Sequence, residues 1–123
     1  MVGQYFLVSG PNYYSFIETA VFTRQVDRKA SLEVLYAIQN DLLANPNRGD
    51  IVQGTGGVRK ARVADPQSDR GKRGSYRYLY LYLEHRGRIY LLYFYGKNEQ
   101  SDLSPEQRKI VARLAQMIKE ESK

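Results

Sequence analysis

The sequence predicts an α+β domain: a mainly antiparallel sheet with an N-terminal helical hairpin and a C-terminal helix. Two late stretches carry the sheet. Ser75–Glu84 (SYRYLYLYLE) alternates strictly, and Arg88–Tyr95 (RIYLLYFY) is apolar on both faces, as a central strand is. Apolar residues at three- and four-residue steps mark helices in Leu32–Ala44 and from Ser104 to about Glu121. Strands and helices come in runs rather than in strict alternation, which favours α+β over a parallel doubly wound sheet.

Taken in order, residues before Pro11 fit either an ordered addition or a flexible tail. Residues 1–13 are therefore set apart as an N-terminal extension, and 14–123 are expected to form one domain. Tyr14–Thr19 (YSFIET) reads as a short strand and Val21–Arg28 as a short helix. Ser31 is a good N-cap for the longer helix, whose buried face is expected to hold Leu32, Leu35, Ile38 and Leu42. Asn45-Pro46-Asn47 stops it, because proline disfavours helical geometry in the residue before it. The two helices are expected to pack as a hairpin over the sheet.

Glycines at 49, 54, 56 and 57 imply a tight chain path. They invite a phosphate-loop reading, but no Gly-Lys-Ser/Thr follows, and the next segment reads as a strand rather than a helix. Val58–Val63 is that strand. The Ala64–Gly74 connection is long, polar and basic, and is expected to be mobile. His85-Arg86-Gly87 is short enough to join the last two strands as a hairpin. In the final helix Ser104 is the N-cap, Pro105 the first helical residue and Gln107 the capping-box partner. Ile110, Val111, Leu114, Met117 and Ile118 form its apolar stripe.

Composition narrows the chemistry. At 123 residues with 42% apolar content, the chain supports a single core that buries roughly two-thirds of the unfolded surface. It has no cysteine, which excludes a thiol nucleophile, a disulfide framework and thiolate metal ligation. With one histidine, His85, a zinc site is not expected, and nothing calls for a cofactor. No segment approaches the ~20 apolar residues of a membrane span, and Met1–Gly10 lacks the basic start of a signal peptide. The expectation is a cytoplasmic protein without a membrane partner.

Charge is the most informative bulk property. The formal net charge is +6. The window Arg59–Arg77 holds Arg59, Lys60, Arg62, Arg70, Lys72, Arg73 and Arg77 against only Asp65 and Asp69. Its local charge is +5, which leaves +1 for the rest. So confined an excess suggests an anion site rather than a solvated surface loop, the bland alternative.

Strand periodicity sorts these cations. Lys60 and Arg62 share a face with Val58, and on the next strand Arg77 shares a face with Leu79, Leu81 and Leu83. If the two strands pair, Lys60, Arg62 and Arg77 converge on one phosphate. Such a site can cut RNA by attack of the ribose 2′-hydroxyl on the adjacent phosphate. That route needs a base, stabilisation of the extra phosphorane charge and an acid for the leaving oxygen. Arg62 and Arg77 fit charge stabilisation, because arginine stays protonated. Lys60 is the candidate base, provided its neighbours lower a pKa that is ordinarily about 10.4. Tyr93, Tyr95, Lys97 and His85 are candidates for the acid, although His85, in a hairpin, reads better as an ordinary surface residue. Tyrosines near the basic site could also stack on a base.

Three motifs resemble the HigB-type toxins of the RelE/ParE superfamily: Gly49-Asp50-Ile51-Val52-Gln53-Gly54-Thr55-Gly56-Gly57-Val58-Arg59-Lys60, then Gly71-Lys72-Arg73-Gly74 leading to Arg77, then Tyr95-Gly96-Lys97-Asn98-Glu99 before Asp102-Leu103-Ser104. The resemblance covers about Phe16 to Met117. It implies a RelE-like fold and a ribosome-dependent endoribonuclease that cleaves messenger RNA. It also implies a helix-turn-helix antitoxin as partner. On matching positions, it implies active-site roles for Lys60, Arg62 and Arg77 and RNA contacts for Arg59, Lys72 and Arg73. Tyr95, Lys97 and Asn98 match the motif after the last strand, Tyr95 being taken as catalytic and Lys97 and Asn98, with Arg70 of the basic window, as RNA contacts. Two other readings stay open at this point. One is a ParE-like gyrase inhibitor that cleaves nothing, since one fold hosts both outcomes. The other is a non-catalytic RNA-binding module.

Overall fold

The structure, a computed structural model, describes the backbone of Tyr5–Val8 and residues 14–67, 76–100 and 102–123. In chain order the elements are β1 (Tyr5–Val8), β2 (Tyr14–Glu18), α1 (Ala20–Lys29), α2 (Leu32–Ala44), β3 (Asp50–Ile51), β4 (Arg59–Val63), β5 (Tyr76–Leu83), β6 (Arg88–Gly96) and α3 (Pro105–Glu121). Among the described residues the strands form one six-stranded sheet in the order β1-β2-β6-β5-β4-β3. Every pairing is antiparallel except β2 with β6, so the sheet is mixed. Two strands go beyond the sequence expectation: β1, in the segment left undecided, and β3, a two-residue strand inside the glycine-rich run.

Side-chain alternation divides the core into two layers, one on each face of the sheet. On one face, Tyr78 and Tyr80 of β5, Ile89, Leu91 and Phe94 of β6 and Phe16 of β2 pack with Phe22 and Val26 of α1 and Val34, Leu35, Ile38 and Leu42 of α2. On the other, Leu79, Leu81, Leu83, Tyr90, Leu92 and Tyr95 pack with Val111, Ala115 and Ile118 of α3. The run in β6 is apolar on both sides because both sides are covered. Full burial of a side chain such as Phe22 or Phe94 contributes about 2 kcal/mol. A register shift between Leu79 and Tyr80 leaves Leu92 as an extra residue in β6, so Leu79 pairs with Tyr93 and Tyr80 with Leu91. The bulge keeps Tyr93 and Tyr95 on the α3 face, with Arg77 and Leu79.

Helix ends follow local chemistry in part. Thr19 caps α1 by accepting the Phe22 N–H, while its hydroxyl donates to the Leu92 carbonyl and ties the helix to β6. The capping box of α3 is complete: the Ser104 hydroxyl accepts the Gln107 N–H, and the Gln107 side chain accepts the Ser104 N–H. Ser31 stands at the N-cap position of α2, but its hydroxyl is buried and makes no capping bond. The Val34 N–H goes to the Ser31 carbonyl instead. Helical stripes are also narrower than expected. Leu32 (58% exposed), Ile110 (66%) and Met117 (47%) face outward, while Val34 and Ala115 are buried. A helix laid flat on a sheet buries only the arc beneath it, so residues flanking that arc stay wet whatever their hydropathy.

Two buried tyrosines on β5 differ in what their hydroxyls do. Tyr80 accepts the Gly49 N–H (3.0 Å) and donates to the Pro46 carbonyl (2.8 Å), pinning the turn between α2 and β3. Tyr78 is equally buried, yet its hydroxyl has no partner among the described residues. Tyr80→Phe should therefore cost about 1–3 kcal/mol, because it strands a buried N–H and a carbonyl. Tyr78→Phe should be neutral or stabilising. Urea unfolding with an unchanged denaturant slope reads both, and equal losses would refute the distinction.

Glu18 supplies a pH test. Burial pushes its carboxyl pKa up and the charge of Asp27 adds to this, while the hydrogen bond from Thr23 opposes it. A raised folded pKa means that the folded state holds the proton more tightly than the unfolded one. The stabilisation is thus complete below the usual carboxylate range and is lost as pH rises through the raised value. Glu18→Gln should flatten that decline and leave the protein more stable than wild type at pH 7. Parallel stability–pH curves for the two proteins would contradict this.

Candidate anion-binding cleft

The antiparallel register between β4 and β5 brings the basic cluster together. Arg62 pairs with Arg77 and Lys60 with Leu79, so all three cations project from the face that carries α3. Directly paired Cα atoms lie about 5 Å apart, and two residues along a strand span about 7 Å. Lys60, Arg62 and Arg77 are therefore within reach of one phosphodiester. They line a cleft of about 420 Å³ together with Arg48, Asp50 and Ala61.

Each cation is held differently. Arg62 is exposed. Arg77 is half-buried, with a long hydrogen bond from Nη1 to the Tyr76 carbonyl at 3.5 Å. Lys60 is ion-paired through Nζ to Asp102 at 3.2 Å. The Leu103 N–H and then the Lys60 ammonium hold the Asp102 carboxyl below its ordinary pKa, so it stays ionised. Arg48, on the turn after α2, is ion-paired to Asp41 at 3.0 Å. Asp50 of β3 pairs in register with Lys60 and adds a carboxylate to the rim.

The turn carrying Arg48 is built around Gly49. A Cβ there would sit 2.9 Å from the Lys60 carbonyl and 3.0 Å from the Tyr80 ring, so no other residue fits without moving backbone. Farther on, Gly57 adopts φ of 109°, which L side chains rarely take. Gly54, Gly56 and Gly57 lie in the connection from β3 to β4, closed by the Val52 N–H on the Val58 carbonyl. The phosphate-loop reading had already failed on sequence, and the strand that follows agrees with that rejection.

Arg59 needs correction. It pairs in register with Tyr80, on the sheet face opposite the cleft, and its guanidinium donates to the carbonyls of Gly49 (2.7 Å) and Asn47 (3.1 Å). Two backbone acceptors occupy it, so its task is to clamp the turn rather than contact RNA. Tyr95 lies on the cleft face opposite Arg77, but is only 1% exposed. Burial pushes its pKa up, the Asp102 charge adds to this and Arg77 opposes it, so the hydroxyl stays protonated. It has no hydrogen-bond partner among the described residues. Tyr93 accepts a bond from Gln107 and so belongs to the anchoring of α3. Lys97 and Asn98 are exposed on the turn after β6, at the Arg77 end of the sheet but outside the set that lines the cleft.

His85 sits at the other end of β5, where Leu83 is about 20 Å from Arg77 at 3.3 Å per residue. Its Nε2 lies 3.1 Å from the Ser122 carbonyl, and Arg86 donates to the same oxygen. It therefore holds the end of α3, remote from the cleft. Arg70, Lys72 and Arg73, with Gly71 and Gly74, lie outside the described residues, as does most of the connection expected to be mobile. Arg48, Asp50, Asp102 and Arg108 were missed from sequence. Only Asp50 and Asp102 stood inside quoted motifs, and Arg48 was hidden in a turn read solely as a helix stop.

A cleft lined by Arg48, Lys60, Arg62 and Arg77 on a mixed α+β sheet is a concentration of positive charge that favours an anion. The chain belongs to the RelE toxin family: the family model described as RelE toxin of RelE / RelB toxin-antitoxin system matches residues 19–123. The match starts at the cap of α1, so β1 and β2 precede it. Membership makes this the toxin of such a pair and makes an antitoxin its partner. No helix among the described residues is long and apolar enough to cross a membrane, and no three of their His, Asp and Glu side chains cluster as metal ligands.

Arg59 and Arg62 should separate in experiment although they lie three residues apart. Arg59→Ala should cost about 1–2 kcal/mol of stability by leaving carbonyls unpaired, with the salt dependence of RNA binding unchanged. Arg62→Ala should do the reverse, reducing the log–log salt slope by about 0.7 with little effect on unfolding. Equal salt slopes in the two variants would place Arg59 at the RNA after all.

Proposed function

We propose that this chain is a HigB-like, ribosome-dependent endoribonuclease that cuts messenger RNA in the cytoplasm by metal-independent 2′-hydroxyl attack and so inhibits translation. The observation that carries the reading is the placement of Lys60, Arg62 and Arg77 on one face at one cleft. Arg62 and Arg77 grip the two non-bridging oxygens and stabilise the phosphorane charge, in a position fixed before substrate arrives. Lys60 stands beside them as the base which, as the neutral amine, takes the 2′-hydroxyl proton while that oxygen bonds to phosphorus. It exchanges its Asp102 partner for the substrate as the RNA enters.

The leaving 5′-oxygen needs a proton, and Tyr95 is assigned to give it. A buried hydroxyl without a hydrogen-bond partner calls for an explanation, and a raised pKa keeps it the acid that this step requires. Tyr95 lies opposite Arg77 in register, next to the phosphate that Arg77 grips. Lys97 and Asn98, with Arg70, Lys72 and Arg73, are assigned to ribosomal and messenger RNA contacts. The antitoxin, a helix-turn-helix protein in this reading, neutralises the toxin.

Purified ribosomes programmed with a defined transcript test the assignment. Arg77→Ala should lower the cleavage rate by about 10²–10³-fold, the range for one transition-state charge donor. Tyr95→Phe should lower it by about 10²–10⁴-fold, the range for a general acid. Wild-type cutting by Arg77→Ala would remove Arg77 from the mechanism, and cutting by Tyr95→Phe within a few-fold would leave the proton to solvent. Intact transcripts with salt-sensitive RNA binding would indicate a non-catalytic module. Intact transcripts with gyrase inhibition would indicate the ParE-like outcome.

A further inference from the structure

The cleft does not end at Lys60. A second depression of about 300 Å³ shares Asp50 and Lys60 with it and reaches Asp102 and Arg108. A third, of about 540 Å³, shares Arg108 and runs along α3 past Lys109 and Arg113, with Gly54 on its other bank. Asp50 and Lys60 border both the first and second depressions and Arg108 both the second and third, so the three follow one another as a groove in steps. Lys109 and Arg113 are exposed one helical turn apart, and the rise from Arg108 to Arg113 is about 7 Å. The Arg108 Nε is buried and has no hydrogen-bond partner among the described residues.

We infer that Arg108, Lys109 and Arg113 form a second phosphate-binding segment for single-stranded RNA flanking the linkage held at Arg62 and Arg77. The inference rests on the nuclease reading for what the cleft holds. Charge alternates along the groove in a way that suits a nucleotide strand. Cations at Arg62, Arg77 and Lys60 come first, the carboxylates Asp50 and Asp102 stand in the middle, and cations at Arg108, Lys109 and Arg113 follow. Phosphates bind at the two ends. The carboxylates accept hydrogen bonds from an exocyclic amine of the nucleotide between them, which phosphate cannot offer. An acidic protein segment would meet like charge at that midpoint.

Binding of 2′-O-methyl oligoribonucleotides, which cannot be cut by 2′-hydroxyl attack, tests this without relying on cleavage. A three-nucleotide probe and a nine-nucleotide probe are titrated over a range of salt concentrations. For the long probe, replacing Arg108, Lys109 and Arg113 together with Ala should reduce the log–log salt slope by about 2, at about 0.7 per phosphate, and weaken binding at least tenfold. The short probe should bind as to wild type. Lys109→Ala with Arg113→Ala, both at exposed positions that leave the buried stem of Arg108 in place, should reduce the long-probe slope by about 1.4. An unchanged long-probe slope in either variant overturns the inference. So does an equal loss for both probes, or polyglutamate competing as well as the long RNA. Ribosomal cleavage by wild type, measured in parallel, separates the two ideas. Cutting with an unchanged slope sinks the groove alone, whereas no cutting with a reduced slope keeps the groove and sinks the nuclease.

Discussion

The cleft exists because β4 and β5 pair in one register. Arg62 opposite Arg77 and Lys60 opposite Leu79 put three positive charges on one side of the sheet. A slip of one residue would send those of one strand to the α1–α2 face, into a layer of Phe, Leu and Ile. That cost fixes the register: Ala61 and Val63 must meet Tyr78 and Tyr76 within the opposite core layer. Like charges placed directly opposite are unfavourable in a sheet. The apolar side of the same two strands therefore holds the repelling side in position. The cluster is preorganised at the expense of local stability.

Around that pairing, the turn from Pro46 to Gly49 is held from three directions. Tyr80 bonds its backbone from β5, Arg59 bonds its carbonyls from β4, and the missing Cβ of Gly49 lets β4 approach. These contacts lie on or under the opposite face of the sheet, yet they determine where Arg48 and Asp50 stand at the cleft rim. Across the groove, the capping box of α3 and the Gln107–Tyr93 bond fix the helix that carries Arg108. Both banks are thus positioned by hydrogen bonds that never touch the ligand.

Much of this was legible in the residues because a period-2 pattern carries face information. SYRYLYLYLE put Arg77 with the leucines and not with the tyrosines, and the structure agrees. Periodicity said less about Arg59. Alternation put it on the opposite face from Lys60, but its place in a basic run led to an RNA role, and only the backbone carbonyls of a neighbouring turn reveal its task. Helix stripes failed at their margins, at Leu32, Ile110 and Met117, because three- and four-residue spacing does not say how wide an arc the sheet covers. β1 and β3 were missed for different reasons: one lies in a segment with weak patterning, the other is two residues among glycines. Arg108 looked like an ordinary helix surface cation, since its neighbours across the groove are distant in sequence.

Among the described residues, the one parallel junction of the sheet bears on the order of folding. Ser15 of β2 pairs with Leu7 of β1 and with Arg88 of β6, so the early β1–β2 pair joins the rest of the sheet only after β6 has been made. α3, which covers the cleft-bearing face, emerges later still. A nascent chain therefore cannot complete its sheet, or cover the face that bears the cleft, until β6 and α3 have followed.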